Sequence, residues 1–229
     1  MRTAIYIDGY NFYYSRLKAT PYKWLDIAAL FRDVILAQQC PQARVSCIKF
    51  FTAPVKASYA RHGVVSEHSQ TQYHRALLSR DEGLLQVIQG FHVFEPTHLP
   101  SYVEGQRPSK IDCQKVWLIE EKQTDVNIAL HLYRDAIKGE FDQLVVCSND
   151  SDMEPALSWI KSDAPHVTLG LVMPLPPPKS PQFRGVPNKR LTALADWVRH
   201  YVLDEELARS QLPRHVQTRK KPASKPDYW

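Results

Sequence analysis

The chain has 229 residues, 44% of them hydrophobic, and a formal charge of +5. That is enough apolar mass for one domain with appendages. No apolar run approaches membrane-spanning length, and Met1-Arg2-Thr3 leads straight into a strand pattern, so a soluble, cytoplasmic protein with no membrane partner is expected. Cys40, Cys47, Cys113 and Cys147 form no C-x-x-C pair and read as buried free thiols. The nine histidines show no zinc spacing.

In chain order, Ala4–Ile7 is a buried-type strand that ends on Asp8-Gly9. Asn11 opens a short helix through Leu17, and Asp26 is placed to cap an amphipathic helix over Ile27–Gln38. Val45–Phe51 is a second strand followed by a polar loop, Thr52–Ser66. In a parallel sheet, Lys56, Arg61 and His62 of that loop would share a rim with the strand-terminal acids. Helical spacing follows over Gln70–Leu78, and Phe91–Phe94 reads as a third strand closed by Pro96.

Pro100–Ser109 is a loop, and Lys115–Ile119 is a short strand leading into Glu120-Glu121-Lys122-Gln123-Thr124-Asp125. Thr124 is a good N-cap for a helix to Lys138, which Gly139 ends. Leu144–Cys147 is another buried strand, and Ser148-Asn149-Asp150-Ser151-Asp152 turns it into a helix with Pro155 in its first turn. Val167–Val172 is the last strand. Six of the 17 prolines fall in 174–187, an extended, exposed linker by composition. A final helical pattern covers Lys189–Tyr201. The expected division is a domain over 1–173, the linker 174–187, a helical extension 188–210 and a basic tail 211–229.

Strands alternating with helices predict an α/β fold with a mainly parallel central sheet flanked by helices. G-x-G-x-x-G, the Walker pattern and G-x-S-x-G are all missing from the sequence, so it carries no nucleotide-loop or hydrolase-elbow motif. Asp8, Asp125 and Asp150 with Asp152 each stand at an element end on what should be one rim, where open α/β sheets place ligands. Helix capping accounts for each acid singly. It accounts less well for all of them facing one way. A carboxylate cluster suits a hard cation, Mg²⁺ or Mn²⁺, which activates water and neutralises charge on a phosphodiester.

The blocks Ile7-Asp8-Gly9-Tyr10-Asn11, Glu121–Ala129 and Ser148–Asp152 resemble the three signature blocks of NYN-domain (LabA-like) proteins, in the PIN-like nuclease superfamily. Phe51-Thr52-Ala53-Pro54-Val55-Lys56 and Ser210-Gln211-Leu212-Pro213 resemble features of one bacterial subgroup. The resemblance implies a Rossmann-like PIN fold and metal-dependent RNA cleavage. It implies Asp8, Asp125 and Asp150 as metal ligands, these three and Asp152 as catalytic residues, with Asp152 and Asn11 in support of the ligands, and Asn11 and Ser148 as substrate contacts, Ser148 bonding a carboxylate or phosphate. Lys122 either contacts a phosphate or pairs with a neighbouring acid; Lys56 and Arg61 are further candidates for substrate contact. Glu121 and Asp112 are candidates for an additional acid. Asn149 and Gln123 stand where many relatives carry Gly.

A divalent-metal endoribonuclease acting on single-stranded or structured RNA is the expected function. A non-catalytic RNA-binding module is the alternative, and a hydroxylase of pyridine-type compounds, a label some subgroup members carry, ranks below both. No flavin, haem or two-His-one-carboxylate signature accompanies that last reading. PIN-like relatives often form homodimers. Tyr10, Tyr13 and Tyr14 either stack bases or join the core, and Phe12 reads as core. Residues 211–229 hold five basic residues against Asp227, a net +4 of the chain's +5. The tail is either a free RNA-gathering arm or docks through Tyr228 and Trp229.

Overall fold

In the computed structural model, residues 1–80, 83–181 and 185–229 are described. The strands in chain order are β1 (Arg2–Asp8), β2 (Arg44–Thr52), β3 (Leu85–Gln89), β4 (Phe91–Pro100), β5 (Cys113–Lys122), β6 (Gln143–Cys147), β7 (Thr168–Val172), β8 (Trp197–Arg199), β9 (His215–Val216) and β10 (Ala223–Ser224). The α-helices are α1 (Gly9–Phe12), α2 (Ala37–Gln39), α3 (Val64–Arg80), α4 (Thr124–Lys138), α5 (Glu154–Asp163), α6 (Lys189–Leu194) and α7 (Asp204–Arg209).

The central sheet has six strands in the order β3-β2-β1-β6-β7-β8, and all five pairings are parallel. Strand β1 is buried from Thr3 to Asp8, and β6 along its whole length. Period-two alternation then divides the core. Ile5 and Ile7 face a layer with Phe31 and Ile35, while Ala4 and Tyr6 face Ile128, Leu132, Leu157 and Ile160. Helices therefore cover both faces, as a parallel sheet requires. On the second face a buried Lys49–Asp135 ion pair, joined by a 2.6 Å bond from the Tyr6 hydroxyl, links β1 and β2 to α4.

Four expectations are corrected. The third sheet strand is β3, not Phe91–Phe94; that segment belongs to β4, which pairs antiparallel with β5 in a separate hairpin with no buried residue in either strand. Of Leu-Gln-Val-Ile-Gln in β3 only Leu85 is fully buried, so the segment lacks the apolar run that marks an inner strand. The Lys189–Tyr201 pattern is helical only to Leu194 and then pairs with β7 as β8. Asp196 enforces the switch: its amide donates to the Leu169 carbonyl and its carboxylate accepts from the Leu169 amide, both tying the chain to the sheet edge. Gly170 leaves room for the Trp197 ring, which a Cβ there would strike.

The proline-rich stretch is not exposed throughout. Pro174, Leu175 and Pro176 are buried and Leu175 is in the core, because the Leu175 carbonyl accepts from Val202; positions 182–184 of the expected linker lie outside the described residues. The tail is not a free arm. Leu212 donates to the Trp24 carbonyl and the Trp24 indole to Pro213, β9 and β10 form a small hairpin, and Trp229 packs 6.1 Å from Trp24 and 5.6 Å from Tyr73. The two terminal aromatics supply enough apolar surface to overcome the tail's charge. No helix among the described residues is long and apolar enough to cross a membrane.

Candidate functional site

Strand β1 connects to β2 on one side and pairs with β6 on the other, so the order reverses between β1 and β6. At the carboxyl end of this switch point lies a cleft of about 320 Å³, lined by Asp8, Tyr10, Asn11, Tyr14, Ser15, Glu121, Thr124, Asp125 and Asp150. Ligands of open parallel sheets bind at such a point, where loops diverge and helix N-termini converge.

Asp8 ends β1, is 3% exposed, and accepts from the Asn11 amide at 2.9 Å and the Ser148 hydroxyl at 3.0 Å. Burial pushes its carboxyl up to about 6; the Asn11 and Ser148 bonds oppose the rise, and the charges of Asp125 and Asp150 add to it. Ser148 Oγ also accepts from the Asp150 amide at 3.1 Å, so one buried hydroxyl sets the spacing of two acids. Asp150 extends from the end of β6 and caps the next turn by accepting from Asp152 at 3.1 Å. Capping and cleft lining are thus one geometry at Asp150. Asp125, in the first turn of α4, is half-buried and raised by desolvation first, then by Asp150, Glu121 and Asp152. The acids repel one another across the cleft.

The local backbone explains why these residues meet. Gly9 is forced by the Phe51 carbonyl and the Phe50 ring, which leave no room for a Cβ. Asn11 Oδ1 accepts from the Asn149 amide at 3.0 Å, locking α1 to the acidic turn. Asn149 then reaches outward: its Oδ1 accepts from Asn188 and its Nδ2 donates to the Val186 carbonyl. Its amide therefore does bonding that a Gly could not. Gln123 has φ 78°, ψ −14°, the left-handed region that suits Gly, so the strain sits at the turn that aims Asp125.

Thr124 does not cap α4 with its hydroxyl as expected. It donates both its amide, at 3.2 Å, and its hydroxyl to Glu121, which supplies the cap from β5. Gly90 makes this possible, because a side chain there would collide with Glu121 and the Lys122 carbonyl.

Of the remaining candidates, Asp152 is exposed beside the cleft, near enough to Asp125 to raise it. Asp112 lies at the far end of the β4–β5 hairpin, bonded to Ser101, whereas Glu121 lines the cleft. Lys122 pairs with Glu120 on the exposed side of β5. Lys56 is exposed in the turn after β2, and Arg61 stands with Lys23 and Lys225; neither lines the cleft, nor does Lys122. Sequence reasoning missed His92. Its Nε2 lies 3.1 Å from the Tyr10 hydroxyl and its Nδ1 3.1 Å from the Pro54 carbonyl, fixing Tyr10 at the cleft wall. Nothing local to a lone His in a hairpin reveals this, but the isolated Gly90 just before it was a legible sign of close approach.

Among the described residues no group of three or more His, Cys, Asp or Glu side chains is placed to hold a metal ion. Mg²⁺ in general keeps several waters and binds through one or two carboxylates together with substrate phosphates.

A parallel, Rossmann-like sheet with an acid-lined cleft at its switch point defines the class: a PIN-like α/β domain. The NYN domain family matches residues 2–186, and the chain belongs to that family. It is also 39% identical, over 244 aligned positions covering 100% of this chain and 75% of the relative, to 6-hydroxy-3-succinoylpyridine 3-monooxygenase of Pseudomonas putida. A solved protein of unknown function from Vibrio parahaemolyticus is 16% identical, with a TM-score of 0.47 over 90% of this chain and 94% of that one.

Proposed function

We propose that the protein is a divalent-metal-dependent endoribonuclease whose catalytic acids are Asp8, Asp125 and Asp150. The observation that carries this reading is the convergence of carboxylates from three separate elements on one cleft, in an NYN-domain chain. Asp8, Asp125 and Asp150 would hold the ion, their oxygens being the hard donors Mg²⁺ or Mn²⁺ prefers. Once bound, such an ion supplies an activated water and neutralises charge on the phosphodiester. Ser148 and the Asn11 amide hold the Asp8 carboxylate in register, and Asn11 ties that loop to the Asp150 turn. Asp152 adds negative charge at the mouth, which raises Asp125, and its backbone amide holds the Asp150 carboxylate. Glu121, bonded to Thr124, orients the α4 start and stands as the additional acid. Lys56 and Arg61, both exposed outside the cleft, are assigned to substrate contact, whereas Lys122 is held by Glu120.

Purified protein incubated with end-labelled RNA should cut only with Mn²⁺ or Mg²⁺ and not in EDTA. Asp150→Asn should abolish cutting with an unchanged circular dichroism spectrum. Undiminished cutting in EDTA, or wild-type turnover in a folded Asp150→Asn, would remove the metal-acid assignment.

The second reading rests on the Pseudomonas putida relative, whose name assigns it to a monooxygenase acting on a pyridine. Oxygen uptake on adding 6-hydroxy-3-succinoylpyridine together with a two-electron reductant, such as a reduced nicotinamide, with RNA left intact under every cation, would replace the nuclease reading by that one. RNA binding with neither activity would leave a non-catalytic module.

A further inference from the structure

The β4–β5 hairpin stands apart from the six-stranded sheet, and neither of its strands has a buried residue. Two strands alone are marginal in water; a third strand or a packed face is what makes such a ribbon stable. Its two edges differ. Strand β4 carries Pro96 and Pro100, four residues apart and therefore on one edge, where proline blocks further pairing. Strand β5 reads Cys-Gln-Lys-Val-Trp-Leu-Ile-Glu-Glu-Lys, ten residues with neither Pro nor Gly. Among the described strands it pairs with β4 alone, so its second row of N–H and C=O groups is a template for another strand.

The side chains of β5 identify the strand that fits. Val116, Trp117, Leu118 and Ile119 form its middle, and Trp117 is 68% exposed. Lys115 lies three residues before Leu118 and Glu121 three residues after it. If β5 pairs antiparallel with a second copy of itself about Leu118, Lys115 of each copy stands opposite Glu121 of the other. Trp117 then faces Ile119, and Leu118 faces itself. Opposite charges and aromatic–β-branched pairs are the combinations that stabilise facing strands. Moving the axis to Trp117 or to Ile119 loses both ion pairs and leaves Glu121 opposite Cys113 or Trp117.

We propose that β5 is the docking edge for a second copy of this chain, giving a two-fold dimer with one continuous sheet in the order β4-β5-β5-β4. The two-fold axis uses both open edges at once and leaves the proline-guarded β4 edges outside, so the sheet stops at four strands. Facing residues of paired strands share a face, so Lys115 of the second copy arrives on the side that carries His92 and Glu121. Glu121 uses Oε1 for both bonds to Thr124, and Oε2 is left for the incoming ammonium. Because Glu121 lines the acid cleft, each copy places a cation at the wall of the other's cleft. Nothing in this pairing depends on which reaction the cleft performs.

Sedimentation velocity of the full chain at rising concentration tests the dimer. Wild type should reach twice the chain mass. Leu118→Lys sets two like charges against each other at the axis and should leave a monomer. Lys115→Glu turns both ion pairs into repulsions and should raise the dimer dissociation constant about tenfold. Register is read by cross-linking in a Cys113→Ser background, which retains only buried thiols. There Leu118→Cys should form a disulfide between copies under mild oxidation, since facing Cβ atoms lie about 4.5–5.5 Å apart. Gln114→Cys should not, because its two copies lie about 26 Å apart along the strand. Cross-linking decides the matter even if Leu118→Lys fails to fold. A wild-type monomer at every concentration, a folded Leu118→Lys that stays dimeric, or cross-linking at Gln114 equal to that at Leu118 would overturn the assignment.

Discussion

At the residue scale, Asp8 concentrates the electrostatics of the cleft. Its carboxyl is raised from 3.8 to about 6 in the fold, so the folded state holds a proton that the unfolded chain has released. Stability must therefore fall as pH rises from about 4 to about 6, by roughly 3 kcal/mol at most. In metal-free buffer, Asp8→Asn should melt several degrees above wild type at pH 7 and gain nothing below pH 4. Parallel melting curves for the two proteins across that range would mean the Asp8 charge is not under strain. His74 works in the opposite sense. Burial lowers its imidazole to about 4, so the stability it contributes is present above about 6.5 and lost as pH falls toward 4. Between about pH 4 and 6.5 the two slopes are opposite and largely cancel, so wild-type stability should be nearly flat there, whereas Asp8→Asn should lose stability as pH falls through that range.

At the element scale, the turn from β5 into α4 carries a local conflict. Gln123 occupies the left-handed region with no side-chain cap bond, while Glu121 reaches from β5 to satisfy the helix start. Gln123→Gly should relieve the left-handed strain and, after the backbone entropy of Gly is counted, raise stability by roughly 0.5–1 kcal/mol. Urea unfolding measures it, and a loss of stability would show that the Gln side chain contributes more than its backbone costs. Helix α6 teaches the converse. Its apolar periodicity runs past Leu194, yet edge pairing through Asp196 and packing of Trp197 on Gly170 end the helix there. Periodicity reports which face is apolar, and cannot report a neighbouring strand with free backbone groups.

At the whole-molecule scale, the C-terminal residues close the fold. They cover Trp24 and Tyr73 through Trp229 and bond to the segment around Tyr22–Leu25 through Gln211 and Leu212. Trp229→Ala removes a partly buried ring, and about 2 kcal/mol is the expected cost. For a chain of this size that corresponds to a fall of about 4–8 °C in Tm. An unchanged Tm would mean the tail is docked without contributing stability.

The parallel α/β architecture was legible in the sequence because buried strands, helix caps and the glycine at the end of α4 are local signals: Ile5–Ile7, Leu144–Cys147 and Gly139 each announce themselves. The acid-terminated elements were legible for the same reason, since Asp8, Asp125 and Asp150 each directly follow or open an element. Tertiary structure alone decided which of two distant acids, Glu121 or Asp112, reaches the cleft, because a hairpin's length and lean are set by long-range contacts such as Gly90 against the Lys122 carbonyl. It also decided the fate of the tail. Composition counts Arg219, Lys220 and Lys221 and suggests a solvated end, but docking depends on whether the body offers Trp229 an apolar seat. Trp24 and Tyr73 provide it from segments far apart in the chain, and burial of that surface outweighs the freedom the tail gives up.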